Sequence, residues 1–445
     1  MTTEGGAGRG AKSEERPARS SPSPAGPTPT RRDDGPLRIL FVTPYYKPYL
    51  GGIERAIEQL GASLLADGHA VGVLTTHYAF PRQHMPGLPA RETIDGGVRL
   101  YRLPSWPRRA APFFSVPLVW FPPRAIAAAL ADFRPDAIHW VGDGWFWAHY
   151  WCWRYGRRRA GLVFTPSFHA LRPAYRWLQP LNVFLARAAD AVTVLSAIER
   201  RAVRRTYGAR RARLWEIGWG VAAPAPRETP APPRGWAPGR LTVLCVGRLG
   251  EHKGQGWLLD RLLRVRDCAP RPVRLVLAGR DEGGEAALRE RVRREGLDDL
   301  VLLTGEVDDD ELHRWYAHAD LFALFSRYEA FGLVYLEAMA HGLPVLTHAV
   351  GAATEIARRG AIVVPAFDAP AAEAALAALL ADDERRAALG REAAAYAAGH
   401  SWPAVAARFT AVYRASLQGK MPWPGWSKVE GRRSKVRDGD EARRP

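Results

Sequence analysis

Residues 326–345 read SRYEAFGLVYLEAMAHGLPV, and this stretch decides how the fold of the chain is interpreted. The apolar run at 319–325 just before it predicts a buried strand of a parallel sheet. Apolar residues at helical spacing then predict a helix that starts after Gly332, and Gly342 and Pro344 end it before the next strand. The stretch is therefore one strand–loop–helix unit of an open α/β sheet, and such sheets bind ligands at the carboxyl ends of their strands.

Two acidic residues of this unit point to a single binding site. Glu329 is predicted to lie in the loop after the strand, and Glu337 about two turns into the helix. Carboxylates accept hydrogen bonds from sugar hydroxyls, while the start of the helix offers N–H groups and a partial positive charge that suit a phosphate. The alternative is that both acids are solvated surface charges. However, the helix around Glu337 is apolar on most sides, and a buried acid needs a partner.

The spacing of these acids carries a family resemblance. Seven residues separate Glu329 from Glu337, Phe-Gly-Leu follows soon after the first acid, and the second acid opens the run EAMAHGLPV. This pattern resembles the Glu-x7-Glu signature of the retaining glycosyltransferases of family 4, also called glycosyl transferases group 1. The resemblance covers about residues 37–417. It implies the GT-B fold, in which two Rossmann-like α/β domains face each other across a deep cleft. It also implies that Glu329 holds sugar hydroxyls and that Glu337 holds the ribose.

Two further segments suit a diphosphate. The pair Gly51-Gly52 follows the first predicted strand and opens a helix, and such a turn can admit a phosphate close to the backbone, although alone it is equally an ordinary tight turn. Residues 247–254 read GRLGEHKG, in which Arg248 offers a planar fork and Lys253 a point charge. Loop cations are commonly only solvated. Both segments nevertheless resemble the parts of the family that bind the donor diphosphate.

The resemblance also assigns the remaining donor-binding residues. The second domain's strand edge near Gly305 and Val307 resembles the family's nucleotide-facing edge, where the backbone meets the base. The start of the helix after Glu329, formed by Phe331, Gly332 and Leu333, is expected to contact the donor.

A histidine is expected to face the transferred sugar. His169 follows the predicted strand 162–165 and matches the position of such a histidine in the family. His139 follows another predicted strand and remains the rival for this role. Glu355 lies in a turn that resembles a Gly-Gly-x-x-Glu-Ile turn of the family, and it is interpreted as structural.

The chain is expected to contain two α/β domains with tails. Apolar runs predict strands over 37–42, 70–75, 98–103, 135–140, 162–165, 191–196, 241–246, 274–279, 301–307 and 319–325 and from 344, and residues 79–95 are predicted to form a loop. The expected organisation is a disordered tail over 1–36, a first, acceptor-side domain over 37–222, a linker over 223–239, a second, nucleotide-sugar-binding domain over 240–399, a helix over 400–417 that returns to the first domain, and a basic disordered tail over 418–445.

Composition narrows the class of protein. The chain has 445 residues, of which 47% are apolar, so large cores can form, and its formal net charge of +17 favours polyanionic partners. Cys152, Cys245 and Cys268 have neither metal-site nor disulfide spacing, and we expect all three to be buried in a protein of the reducing cytosol. The sequence contains no recognisable signal peptide and no uncharged run of about 20 apolar residues, so a cytoplasmic protein is expected.

One segment suggests contact with a membrane. Residues 106–121 combine aromatic and aliphatic residues with Arg108, Arg109 and several prolines, a pattern that indicates an interfacial segment. The arginine-rich helix around 200–205 is predicted in the same domain. Together they predict peripheral contact with the anionic inner face of the membrane. The alternative is that 106–121 is an ordinary buried loop and short helix, and that the charge only keeps the protein soluble.

The resemblance, together with these residues, implies a retaining glycosyltransferase of polysaccharide biosynthesis. It is expected to move a sugar from a nucleotide-diphosphate sugar to a hydroxyl of a lipid-linked or cell-surface glycan precursor. The sequence shows no metal-ligating cluster of Asp or His. The resemblance implies that cationic side chains take the place of a metal ion, with no cofactor besides the sugar nucleotide. One alternative is a nucleotide-sugar epimerase or hydrolase of the same fold. Another is a basic nucleic-acid-binding protein, but the sequence shows no helix-turn-helix, zinc finger or aromatic RNA platform, so no nucleic-acid partner is expected.

Overall fold

The structure is a computed structural model. It describes residues 35–79, 83–104, 122–142, 147–167, 180–209, 213–222, 230–356 and 360–421, and the backbone of 106–107, 119–120 and 179. Several predicted features lie outside these residues: the tail before residue 35, most of 106–121, His169, part of the linker and the tail after residue 421.

The first domain is built around an eight-stranded sheet in the order β12-β11-β10-β9-β1-β2-β6-β5. Neighbouring strands are parallel except for β5, which runs antiparallel to β6. The elements of this domain are β1 (Arg38–Val42), α1 (Gly52–Ala66), β2 (Ala70–Thr76), β3 (Tyr78–Ala79), β4 (Gln83–His84), β5 (Arg91–Ile94), β6 (Val98–Leu103), β7 (Trp106–Pro107), β8 (Val119–Trp120), α2 (Pro123–Phe133), β9 (Ala137–Val141), α3 (Ala148–Gly156), β10 (Gly161–Thr165), α4 (Gln179–Ala188), β11 (Ala191–Val194), α5 (Ala197–Tyr207) and β12 (Leu214–Glu216). The strand pairs β3–β4 and β7–β8 form two small separate ribbons.

The second domain is built around a six-stranded parallel sheet in the order β15-β14-β13-β16-β17-β18. Its elements are β13 (Leu241–Val246), α6 (Gln255–Val265), β14 (Val273–Ala278), α7 (Glu285–Arg294), β15 (Val301–Gly305), α8 (Asp309–His318), β16 (Leu321–Leu324), α9 (Leu333–Ala340), β17 (Val345–His348), α10 (Ala353–Ile356), β18 (Ala361–Val364), α11 (Ala369–Ala381) and α12 (Asp383–Ala398). The last helix, α13 (Trp402–Ser416), follows.

The central strands read as apolar runs because helices cover both faces of each sheet. All residues of β9, β10, β13 and β16 are buried, as expected for strands of a doubly covered parallel sheet. The two-domain α/β architecture and the predicted central strands are confirmed, with ends that differ by a few residues from those expected.

The order of the second sheet determines where a ligand can bind. Strand β13 pairs with β14 on one side and with β16 on the other, so the strand order reverses next to β13. Loops that leave the carboxyl ends of two such strands diverge and open a crevice between them. The loop after β13 carries Arg248 and Lys253, and the loop after β16 carries Glu329, so all three residues lie at the edge of the sheet where such a crevice is expected.

Helix α13 lies against the first domain. Its Tyr413 hydroxyl is 2.9 Å from Nδ1 of His139 in β9, and the hydroxyl of Thr410 is 3.2 Å from Nε2 of His69. Both histidines are buried, so these contacts attach the end of the chain to the first sheet.

Three local predictions are wrong. Residues 79–95 contain β4 and β5 instead of a continuous loop, because β5 is a polar strand at the sheet edge and lacks an apolar pattern. Cys268 is exposed, since it ends a short 3₁₀ turn at the surface. Glu337 is the fifth residue of α9, little more than one turn into the helix.

Within the described residues, no helix is both long enough and apolar enough to cross a membrane.

Candidate functional site

The loop that carries Glu329 ends in a turn that requires glycine. Gly332 has a φ of 87°, which places it in the left-handed region, and it caps the N-terminus of α9. A Cβ atom at this position would lie 2.5 Å from the Tyr335 ring, so a side chain would also clash. The Tyr335 ring is fixed because its hydroxyl is 3.1 Å from the Thr347 hydroxyl in the neighbouring strand. The chain can therefore turn from β16 into α9 only with glycine at position 332.

Glu329 and Lys253 form an ion pair. The Lys253 ammonium donates to Oε2 of Glu329 at 2.8 Å, and the two side chains are only 14% and 13% exposed. The loops that hold them touch closely, because a Cβ on Gly254, whose φ is 73°, would lie 2.2 Å from the carbonyl oxygen of Phe325. The second sheet thus brings together Lys253, which is predicted to bind phosphate, and Glu329, which is predicted to bind the sugar.

Arg248 lies in the same loop as Lys253 and has a different carboxylate partner. Its Nη1 contacts Oε1 of Glu282, which follows β14, and Nε2 of His252 lies 3.3 Å from the other oxygen of Glu282. The carbonyl oxygen of Arg248 accepts a hydrogen bond from the Gln255 amide at 2.9 Å. The predicted diphosphate loop is therefore anchored at its backbone, with its arginine side chain at the crevice.

Glu337 is half-buried and hydrogen-bonded from one side. The Tyr316 hydroxyl of α8 donates to its Oε2 at 2.9 Å. Burial raises the pKa of Glu337, while the Tyr316 hydrogen bond and the charge of Arg55 act against this rise. The backbone carbonyl of Glu337 accepts from Nδ1 of His341, and Nε2 of His341 is 2.8 Å from Nδ1 of His313. The Glu337 carboxylate is therefore fixed in position by a hydrogen bond and is not a solvated surface charge.

The glycine turn of the first domain faces cations of the second. The N–H of Gly51 donates to Oε2 of Glu54 at 3.0 Å. Burial raises the pKa of the Glu54 carboxyl to about 7, and the positive charges of Arg248 and Arg280 act against this rise. The Arg280 guanidinium lies 4.8 Å from the centre of the Tyr49 ring. The turn with Gly51 and Gly52 thus lies near two arginines that follow strands of the other domain.

Further contacts join the domains around this site. Arg55 of α1 pairs with Asp309 at the start of α8 at 2.5 Å. Oε2 of Glu355 accepts from the backbone N–H of Ala197 at 2.7 Å, which agrees with its interpretation as a structural residue. The Phe331 ring packs so closely on Gly218 that a Cβ there would lie 2.9 Å from it. Phe331 is only 5% exposed, so it is packed at this contact between the domains.

The other predicted donor-binding residues lie along the same edge of the second sheet. Leu333 is the first residue of α9, directly after Gly332. Gly305 ends β15 with a φ of 70°, and its carbonyl oxygen accepts from the N–H of Gly279 at 2.9 Å. Val307 follows it and is partly buried.

His139 does not face an open site. It lies inside β9 instead of after a strand, and it is completely buried. Its Nε2 is 2.7 Å from the Thr165 hydroxyl, and its Nδ1 contacts Tyr413. Burial lowers its pKa to about 3, so it stays neutral. His139 therefore stabilises the packing of α13, and its candidacy for contact with the sugar is wrong.

Sequence patterns did not single out five residues that the structure places at the site: Glu54, Arg55, Arg280, Glu282 and Tyr316. Arg280 and Glu282 follow a strand, which is a signal that could have marked them. Tyr316 and Arg55 carry no comparable signal. The assembled groups offer carboxylates for hydroxyl groups and cations for phosphate. Within the described ranges, no group of three or more His, Cys, Asp or Glu side chains is placed to hold a metal ion.

Comparison with known proteins identifies the family. The profile described as glycosyltransferase family 4 matches residues 50–223, and the profile described as glycosyl transferases group 1 matches residues 240–382. A lipopolysaccharide core biosynthesis mannosyltransferase of Rhizobium meliloti is 36% identical over 162 residues, which are 35% of this chain and 45% of that protein. That alignment therefore spans less than half of the relative.

Two longer matches cover most of both chains. A D-inositol 3-phosphate glycosyltransferase of Nocardia farcinica is 32% identical over 426 residues, or 87% of this chain and 91% of the relative. The solved structure of sucrose-phosphate synthase from Thermosynechococcus elongatus has a TM-score of 0.67 at 22% identity, and the match covers 84% of this chain and 98% of that one. The chain is therefore a glycosyltransferase with the GT-B fold, and it belongs to glycosyltransferase family 4.

Proposed function

We propose that this enzyme is a retaining glycosyltransferase that moves a sugar from a nucleotide-diphosphate sugar to a hydroxyl of a lipid-linked or cell-surface glycan precursor. The observation that carries the proposal is the half-buried ion pair of Lys253 and Glu329 at 2.8 Å, beside Arg248 and at the point where the second sheet reverses its order. A cation and an acid side by side, both largely shielded from solvent, suit a ligand that has both phosphate and hydroxyl groups.

The proposed roles follow from where charge develops. When the sugar leaves the donor, negative charge grows on the departing nucleoside diphosphate, and fixed positive groups stabilise it. Arg248 and Lys253 supply most of this charge, and N–H groups at Gly51-Gly52 and at the start of α9 add to it. We assign no residue as a covalent nucleophile, and the acceptor attacks from the face that the leaving group vacates. These cations act in place of a metal ion, without a further cofactor.

The remaining contacts determine which donor is bound. Glu329 accepts from hydroxyl groups of the transferred sugar, and Glu337 accepts from the ribose. The backbone at Gly305 and Val307 contacts the base of the nucleotide, and the backbone of Phe331 contacts the donor. His169 remains a proposed contact of the sugar, and it lies outside the described residues.

The proposed acceptor class draws on the relatives. One is named for lipopolysaccharide core biosynthesis and the other for D-inositol 3-phosphate, so their names point to a lipopolysaccharide core and to an inositol phosphate. The net charge of +17 supports an anionic acceptor or an anionic surface that carries it. We favour the lipid-linked acceptor, with transfer at the inner face of the membrane.

A two-stage experiment tests this function. Nucleotide sugars with different bases are first screened for a rise in melting temperature, since a ligand that binds only the native state stabilises it. Those that bind are then incubated with lipid and glycan extracts, with and without EDTA, and the products are analysed by mass spectrometry and by NMR of the new anomeric centre. We expect a product with the donor's anomeric configuration in both incubations. Inversion, loss of activity with EDTA or hydrolysis alone would contradict the proposal.

A further inference from the structure

Glu282 occupies the position where the proposed function requires an anion. Its Oε1 contacts Nη1 of Arg248, and its Oε2 lies 3.3 Å from Nε2 of His252. Arg248 and His252 both belong to the loop that follows β13, which is the proposed diphosphate loop. A carboxylate that binds an arginine of such a loop uses the same donor groups that a phosphate oxygen would use.

The backbone around Glu282 holds this carboxylate against the loop. The N–H groups of Glu282 and Gly284 both donate to the carbonyl oxygen of Leu249, at 2.9 and 3.1 Å. Oδ1 of Asp281 accepts from the N–H groups of Gly283, Gly284 and Glu285 at 2.8 to 3.0 Å, which closes a tight turn. Glu282 is therefore presented to Arg248 by a well-anchored turn at the end of β14.

The pair is placed so that a stronger anion can displace it. Arg248 is 39% exposed and Glu282 is 29% exposed, and ion pairs this open to solvent contribute little net stability. A diphosphate carries more charge than a carboxylate and also reaches Lys253, so it competes well for Arg248. The neighbouring ion pair of Lys253 and Glu329 is less exposed than the pair of Arg248 and Glu282.

We propose that Glu282 is an exchange partner of the diphosphate, and this inference rests on the proposed function. Glu282 neutralises Arg248 in the donor-free enzyme, gives way when the donor diphosphate binds, and returns when the nucleoside diphosphate leaves. By competing for Arg248 it lowers the affinity for the product and accelerates its release. Glu282 thus determines the balance between donor binding and turnover without contacting the sugar.

The direct test compares Glu282→Gln with the wild-type enzyme, using the full chain and calorimetric titration with UDP, GDP and ADP. The amide keeps the shape of the side chain and removes its charge. We expect the diphosphate that wild type binds to bind the variant about twofold to fivefold more tightly, since an exposed competing ion pair is lost. The matching nucleoside without phosphates should bind both proteins equally. With donor and acceptor present, kcat and KM should both fall, because product release becomes slower.

Glu285→Gln is the matched control. Glu285 lies three residues further on, carries the same charge and pairs with Arg289 at 2.6 Å within α7. This variant should bind the diphosphate as the wild type does. Equal or weaker diphosphate binding by Glu282→Gln, or the same gain in both variants, overturns the inference and assigns Glu282 at most to orienting Arg248. If wild type binds no nucleoside diphosphate, the proposed function fails as well. A circular dichroism melt verifies the fold, and Glu282→Ala is expected to shift affinity in the same direction.

Discussion

Glu337 illustrates how one residue of the site is prepared by its neighbours. The Tyr316 hydroxyl holds its Oε2, and we expect the other oxygen to accept from the ribose. Glu337→Gln should keep the fold and weaken binding of the sugar nucleotide by about 1–3 kcal/mol, because a charge-assisted hydrogen bond is lost. Calorimetric titration measures the effect, with Glu392→Gln on the exposed surface of α12 as control. Unchanged affinity in Glu337→Gln would remove this residue from the ribose site.

Glu54 predicts a pH dependence of stability. Its carboxyl has a pKa of about 7 in the folded protein, against an ordinary value of 4.5. Well below pH 4.5 the Glu54 carboxyl is protonated in both the folded and the unfolded state, so its ionisation does not change the free energy of unfolding. As the pH rises from 4.5 to 7, the unfolded state loses its proton and the folded state keeps it, so stability falls. Glu54→Gln should abolish this contribution, and its melting temperature should rise relative to wild type across that window. Parallel melting curves between pH 4.5 and 8 would contradict the prediction.

At the scale of elements, the loop between β13 and α6 concentrates positive charge at the crevice. Arg248→Ala and Lys253→Ala should each lower kcat by about 100-fold or more, because each removes a preorganised group that stabilises the leaving diphosphate. Arg264→Ala is the control, since Arg264 lies at the end of α6 and pairs with Glu373 away from the crevice. Steady-state rates with the identified donor provide the measurement. Near-normal turnover in both site variants would show that the leaving-group assignment is wrong.

At the scale of the whole molecule, the charge of +17 predicts where the enzyme works. The arginine-rich helix α5 belongs to the proposed acceptor-side domain, and Arg204 and Arg205 in its last turn are exposed. Each basic residue near an anionic bilayer contributes roughly 1 kcal/mol of binding free energy. We therefore expect the protein to sediment with anionic but not with neutral vesicles, and to lose this binding at high salt.

The double variant Arg204→Glu, Arg205→Glu tests which face docks. It should bind anionic vesicles more weakly. The same charge reversal at Arg293 and Arg294 on α7 of the other domain should reduce vesicle binding less. The same charge reversal at Arg108 and Arg109 tests the predicted interfacial segment 106–121, most of which lies outside the described residues. If neither vesicle type binds at low salt, a soluble acceptor becomes the better proposal.

The sequence alone determined the architecture and the family. Apolar runs marked the central strands because a strand covered on both faces must be apolar throughout. The seven-residue spacing of Glu329 and Glu337 placed one acid in a loop and the other on the following helix, and the structure has this arrangement. These features are local, so a linear pattern can report them. The polar edge strand β5 escaped prediction because it has little apolar surface to bury.

Only the tertiary structure decided which groups meet. Lys253 and Glu329 are 76 residues apart, and they pair because β13 lies beside β16 in the sheet. Arg55 and Asp309 are 254 residues apart, and they pair because α1 of one domain meets α8 of the other. His139 is buried against α13, where it contacts Tyr413, and so it does not face an open site. No sequence pattern around β9 indicates that α13 returns to this strand. A side chain's partner depends on strand order and domain packing, and these arise from the free energy of the whole chain instead of from any local stretch.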